Sequence, residues 1–193
     1  MVSTWTPSNV VVVTPPSSES LATQTVLDYV RQSQSEASLL SRMVTHTRVD
    51  LERRLGRALS HQVLMVTYRY FLPQTALVST IIHMTFPLYL PPVNSVSLVE
   101  AMTGQNTWVT YDPQFWHFQE NKLTIDDITT LYAVDRYLYI RVTYDVGSSV
   151  LDPADEMMWL QYVAHYYAFR EDDTMPEGIA SAIMRSKVWE DYL

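Results

Sequence analysis

The spacing of apolar residues changes character along the chain, and each change marks an expected element. Residues 1–17 carry no charge and contain a β-branched run, Val10 to Thr14, closed by Pro15 and Pro16, which cannot continue a helix. They read as an extended N-terminal arm, either frayed or laid on a neighbouring protein as an added strand. Ser17, Ser18 and Glu19 resemble a helix start, and Leu21, Ala22, Val26, Tyr29 and Val30 follow at helical spacing, which predicts a short helix over 19–31. Ser33 and Glu36 have the spacing of a capping box, and Leu40, Met43, Val44, Thr47, Leu51, Leu55, Ala58 and Leu59 then recur at steps of three and four. This predicts a second, longer helix, with Arg42, Arg48, Arg53, Arg54 and Arg57 on its opposite face beside Asp50 and Glu52.

From residue 62 the period becomes two. Leu64, Val66, Tyr68 and Tyr70 fall on one face, and the alternation resumes at Ala76 to Met84 and Val96 to Ala101. Further short strands are expected at Trp108 to Tyr111, Phe115 to Phe118, Lys122 to Ile125 and Tyr137 to Asp145, with turns at Thr103 to Asn106, Asp112-Pro113 and Glu120-Asn121. In the last strand Leu138, Ile140, Val142 and Tyr144 alternate with Tyr139, Arg141 and Thr143, so one face belongs in a core. Asp152-Pro153 places an N-cap before an N1 proline, and Met157 to Phe169 is apolar almost all round, the pattern of a buried helix. A loop at Glu171 to Thr174 ends it, and Pro176 opens a final helix with Ile179, Ala182, Ile183 and Trp189 on one stripe. The expected fold class is α+β: a small helical bundle drawn from both chain ends (18–60 and 152–193), a central β-rich insertion (61–151) and the arm (1–17).

Composition narrows the function classes. Of 193 residues, 47% are hydrophobic and 18% charged, which suits a packed globular protein and not a disordered one. The 13 Tyr, 5 Trp and 9 Met favour either surfaces partly buried against partners or a tyrosine-rich sheet. The absence of Cys excludes a disulfide scaffold, a thiolate metal site and a cysteine nucleophile. The N-terminal stretch lacks a basic region, and its longest apolar run, Val10 to Val13, is too short for a signal or a membrane span. A soluble protein made in the cytoplasm, without membrane contact, is expected. The net charge of -8 is carried by residues 101–193, where acidic side chains outnumber basic ones, and that imbalance argues against a DNA-gripping surface there.

No motif anchors catalysis. Four glycines (Gly56, Gly104, Gly147, Gly178), all far apart, form neither a phosphate-cradling loop nor a dinucleotide fingerprint. His46, His61, His83, His117 and His165 are dispersed and form no ligand pair, and no serine sits in a nucleophile elbow. Asp126-Asp127 and Glu171-Asp172-Asp173 are close enough to bind a hard cation or perturb one another, but they lack EF-hand spacing and read as solvated acidic loops. No catalytic, cofactor-binding or metal-binding residue is therefore assigned, and a non-enzymatic protein is expected.

Four stretches, in order, resemble the head-to-tail adaptor (connector) proteins of tailed bacteriophages and gene transfer particles, over most of residues 19–193. LERRLGRAL, Leu51 to Leu59, is similar to the family's helix end, through Glu52, Gly56, Arg57, Ala58 and Leu59. LPPVNSVSLVEA, Leu90 to Ala101, resembles its proline-containing stretch and following strand, and YIRVTYDVG, Tyr139 to Gly147, its later strand end. LQYVAHYYAFRE, Leu160 to Glu171, followed by MPEGIASAIMRSKVW, Met175 to Trp189, resembles its C-terminal helices. The chain departs from the family at Thr129 to Asp135, where a Trp-Pro turn is common, and in its longer arm.

The resemblance implies a structural virion protein of the neck, assembled in the host cytoplasm into a homo-oligomeric ring of about twelve copies under the portal protein. Such a ring extends the channel for double-stranded DNA during genome packaging and ejection, without sequence-specific binding, and docks the tail or a stopper protein. On this reading Arg42, Arg48, Arg53, Arg54 and Arg57 are candidates for the subunit interface. Trp189, Tyr192 and Leu193 are candidates for portal docking, and Asp126, Asp127, Glu171, Asp172 and Asp173 for the channel wall, where they would repel phosphate. The alternatives are another neck or tail part, such as a stopper or tail-completion protein, and a β-rich carbohydrate-binding or hydrolytic domain using Trp108, Trp116 and Tyr111.

Overall fold

The structure, a computed structural model, describes residues 5–71, 84–103, 105–126, 133–134, 137–169 and 175–190. It has both helices and sheets and divides into two compact units: Met1–Pro15 with Gln62–Gly147, and Pro16–His61 with Ser148–Leu193.

The second of these is helical, with α1 (Thr23–Val30), α2 (Ala37–Leu55), α3 (Pro153–Ala168) and α4 (Glu177–Glu190). α1 begins later than residue 19 because Ser20 is held in a bracket: its amide donates to Ser60 Oγ and its hydroxyl to the Ser148 carbonyl. The capping box expected at Ser33 and Glu36 does not form. Ser33 Oγ lies 2.6 Å from Ser35 Oγ, residues Gln34–Glu36 make a single 3₁₀ turn, and α2 starts only at Ala37. α2 also stops at Leu55, before the expected Leu59. Gly56 takes the left-handed conformation (φ 76°), which glycine adopts without a Cβ penalty, and its amide closes on the Glu52 carbonyl at 2.9 Å.

The core of this unit joins Leu40, Val44 and Leu51 of α2 to Trp159 and Val163 of α3, Ile179 and Ile183 of α4, and Leu21 and Val26. Trp159 is completely buried, and its indole N–H donates to Thr47 Oγ1, whose own proton goes to the Met43 carbonyl. The largest core side chain is thus packed without an orphaned donor. Asp152 caps α3 by accepting from the Ala154 amide at 2.8 Å, with Pro153 in the first turn. α3 itself is buried on one side only: Met157, and Phe169 just beyond its end, are exposed, and whereas Tyr162 is buried, Tyr166 and Tyr167 sit at the rim, where ring and hydroxyl meet different surroundings.

The other unit is antiparallel β. Its larger sheet has the order β1 (Thr6–Thr14), β2 (Gln62–Phe71), β9 (Tyr137–Val146), β4 (Val93–Met102), β5 (Trp108–Thr110), with the short β8 (Ala133–Val134) folding back on β9. A second sheet of three has the order β3 (Met84–Pro87), β7 (Lys122–Ile125), β6 (Trp116–Gln119). Most of the alternation expected at Ala76 to Met84 lies outside the described residues; β3 begins at Met84. The paired strands β2 and β9 bury Leu64, Val66 and Tyr68 opposite Tyr144, Val142 and Ile140 on one face, as a period of two requires. β6 and β7 are joined by Glu120 and Asn121, both at positive φ (50° and 62°), the two-residue hairpin geometry that matches strand twist.

The stretch expected to be a frayed or neighbour-bound arm is instead β1 of this chain's own sheet. Val10, Val11 and Val12 pair with Val66, Met65 and Leu64, and just before the strand Trp5 is buried against Tyr70 and Phe86 at ring distances of 5.4 and 5.1 Å. A buried tryptophan ahead of a β-branched run is enough to hold the strand down.

Candidate functional site

The five arginines expected on one solvent face of α2 separate into three environments. Arg48 is buried. Its Nε lies 2.9 Å from Glu19 Oε2, an ion pair outside hydrogen-bond angles, and its Nη1 donates to Glu52 Oε2 at 2.7 Å. Glu52 is buried as well, and its other oxygen accepts from the Leu59 and Ser60 amides at 2.9 and 3.3 Å. The carboxylate thus ties α2 to the chain that leaves it after Gly56, which accounts for a glutamate four residues before that glycine. Glu19 is completed by the Thr45 hydroxyl at 2.8 Å and the Ser60 hydroxyl at 3.4 Å.

Arg57 stands beyond the end of α2, not on its face, and donates to Asp155 in the first turn of α3 at 2.7 Å. Arg54 donates to Asp50 at 2.8 Å, and Asp50 also accepts from the Tyr162 hydroxyl at 2.8 Å. Arg42 and Arg53 are left pointing outward, Arg53 with 70% of its side chain exposed and only a 3.9 Å approach to Asp50. Arg53 borders a groove lined by His46, Val49, Tyr162 and Tyr166, in which the His46 and Tyr166 rings lie 5.2 Å apart, and Arg42 borders a neighbouring hollow that shares His46 and Val49. Two of the expected interface arginines therefore serve the internal structure of the unit, and Arg42, Arg53 and the half-exposed Arg54 share its outer surface.

Of the acidic candidates, Asp126 is the one among the described residues. Asp126 lies at the end of β7, with Oδ2 3.0 Å from His117 Nδ1, whereas Asp127, Glu171, Asp172 and Asp173 lie outside the described residues. The backbone of Trp189 belongs to α4, and Tyr192 and Leu193 also lie outside the described residues. Among the described residues no group of three or more His, Asp or Glu is placed to hold a metal ion, and no helix is long and apolar enough to cross a membrane.

Two of the three aromatic side chains proposed for a carbohydrate groove are otherwise engaged. Tyr111 is buried beside Phe115, and the Trp108 ring is covered by the Arg141 guanidinium at 4.6 Å, itself held in a two-point ion pair by Glu100 at 2.7 and 2.8 Å.

A second polar assembly, not foreseen from the sequence, lies in the β unit. The Tyr89 amide donates to the Tyr68 hydroxyl at 2.7 Å, the Tyr68 and Tyr144 hydroxyls are 3.0 Å apart, and Tyr144 donates to the Tyr89 carbonyl at 2.9 Å. With those two directions set, Tyr68 donates to Tyr144 and the circuit closes on the backbone of one residue. It holds the loop between β3 and β4, together with Asn121, which accepts from the Leu88 and Val93 amides. Burial pushes the Tyr68 hydroxyl up to about 12, and burial and its tyrosine neighbour raise Tyr144 as well, so both stay protonated and able to donate. Two tyrosines on the buried face of paired strands were the available signal.

No protein-family model matches the chain, and none of the curated proteins does. Solved structures do share its fold. A chain described as the neck of an empty GTA particle computed with C6 symmetry is 19% identical with a TM-score of 0.63, covering 93% of this chain and 95% of that one. A chain from the virion of a native gene transfer agent (GTA) particle is 18% identical with a TM-score of 0.61, over 92% and 94%. A third, from the neck of a native GTA particle computed with C12 symmetry, is 17% identical with a TM-score of 0.59, over 93% and 94%.

Proposed function

We propose that this chain is a structural component of the neck of a phage-like particle, and within the neck the head-to-tail adaptor that forms a ring under the portal. The observation that carries the reading is the end-to-end agreement of fold with the neck chains, at a TM-score of 0.63 over 93% of the chain. The C6 and C12 symmetries of those assemblies support a ring as the working form. On this reading the protein works mechanically. One contact repeated head to tail closes the ring, the ring continues the DNA channel below the portal, and its far face receives the tail or a stopper.

The subunit contact on the helical unit is made by Arg42, Arg53 and Arg54 around the His46–Tyr166 groove, set against acidic side chains of the next copy. Arg48 and Arg57 serve it indirectly by holding α2 in place. The acidic residues of the second half, Asp126 among them, line the channel and keep phosphate from adhering. The C-terminal stretch with Trp189, Tyr192 and Leu193 docks on the portal. No reaction is assigned.

Light scattering tests the reading. The full chain, alone or mixed with the portal of its own particle, is expected to leave the 22.3 kDa monomer for a closed assembly. Reversing Arg42 and Arg53 to Glu is expected to return it to the monomer with an unchanged circular dichroism spectrum. A wild-type chain that stays monomeric and ignores the portal contradicts the proposal.

A further inference from the structure

β1 lies at the end of the larger sheet and, among the described residues, pairs only with β2. Alternate residues of an antiparallel strand direct N–H and C=O away from that partner, so the far side of β1 offers a row of unmatched backbone groups. All nine of its residues are exposed, including four consecutive valines, Val10 to Val13, at 38–51%. An uncharged β-branched edge of this kind invites another strand, and the usual guards, a lysine or an inward-pointing charge, are missing from it. Only its ends are protected, by Pro7 and by register irregularities at Pro7/Asn9 and Val12/Thr14, so the open stretch is short and centred on Val10 to Val12.

The opposite end of the same sheet is stepped. β5 covers Glu100 to Met102 of β4, and the Tyr111 amide reaches the Val99 carbonyl. Beyond that point, among the described residues, nothing pairs with the outer side of Asn94 to Leu98. That stretch is also uncharged and, like β1, carries two register irregularities, at Val93/Ser95 and Val96/Leu98. The strands β1, β2, β9 and β4 alternate in direction, each pair antiparallel, so a second β1 set beside β4 in the same sense as the first would again be antiparallel.

We infer that β1 of one copy adds to Asn94–Leu98 of the next copy, so that the larger sheets join head to tail around the assembly. The inference rests on the ring reading above and supplies its second subunit contact. The occupant is a copy of this chain because the two edges, alike in lack of charge and opposite in strand sense, belong to the same sheet. A contact between two different surfaces of one chain is the kind that closes a ring, whereas β1 against β1 would be two-fold and stop at a pair.

The test uses the full chain. The double variant Val10→Lys with Val12→Lys changes only exposed positions; it is expected to keep the wild-type circular dichroism spectrum and to size at the 22.3 kDa monomer where the wild type forms the ring. Because the chain has no cysteine, Val12→Cys combined with Ser95→Cys or Ser97→Cys can be oxidised cleanly, and a ladder of covalent oligomers is expected from at least one pair and from no single variant. A wild-type ring that survives both lysines and yields no ladder overturns the inference and leaves the ring reading standing. A covalent dimer from Val12→Cys alone also overturns it, in favour of β1 against β1. A wild type that never leaves the monomer overturns the ring reading and this inference with it.

Discussion

The helical unit and the β unit treat polar groups in opposite ways. In the helical unit charges are taken inside: Arg48 lies buried between Glu19 and Glu52, Glu52 also holds two backbone amides, and Arg57 is tied to Asp155. In the β unit the fully buried polar assembly is neutral, a circuit of two tyrosine hydroxyls with the backbone N–H and C=O of Tyr89, while a whole strand of uncharged residues stays outside. A buried ionic cluster stabilises only when every member is present, because removing one leaves the others desolvated and unmatched. A neutral circuit loses less when opened. Side chains such as Arg42 and Arg53, and the valines of β1, contribute little to either interior, which leaves them free to serve assembly.

The largest effect is expected at Arg48. Arg48→Ala leaves two carboxylates without their cation and is expected to lower stability by roughly 3–5 kcal/mol, read from urea unfolding. A loss below roughly 1 kcal/mol would mean that the cluster is not desolvated as drawn. Tyr144→Phe removes one link of the circuit, leaving the Tyr89 carbonyl and the Tyr68 proton without partners, and is expected to cost about 1–3 kcal/mol. The same circuit carries a pH signature. A tyrosine whose pKa is raised on folding contributes stability that is complete below its ordinary value of 10.0 and is lost as pH rises toward the folded value, about 12 for Tyr68. Thermal unfolding followed from pH 9 to 12 is expected to show that decline in the wild type and a shallower one in Tyr144→Phe. The smallest effect is at Arg42: Arg42→Ala should change monomer stability by no more than about 0.5 kcal/mol while weakening the assembly.

Much of the fold was legible in periodicity. The stripe from Leu40 to Leu55 marked α2, the alternation from Leu138 to Tyr144 marked β9, and Asp152-Pro153 marked the start of α3, because each follows from one face meeting a core or from a local cap. Where local spacing competed with distant partners, the sequence misled. Ser33 and Glu36 had capping-box spacing, but Ser33 turned to Ser35. Arg48 and Glu52 looked like surface charges, since a helical wheel cannot see that Glu19 and the chain after Gly56 close over that side. The arm proved to be a strand because Trp5 finds a pocket formed by Tyr70 and Phe86, residues more than sixty positions away. Of the candidate interface residues, spacing grouped five arginines by residue type, and only the tertiary structure separated those that hold α2 from those that face outward.

Formation of a ring on a portal is what separates the proposed adaptor from another neck or tail part. The most direct measurement is electron cryo-microscopy of the chain bound to the portal of its own particle, with rotational symmetry assessed in averages viewed down the axis. A closed layer of identical subunits around an open channel below the portal is the predicted result. A portal with no added layer, or copies attached singly without contact between neighbours, would contradict it.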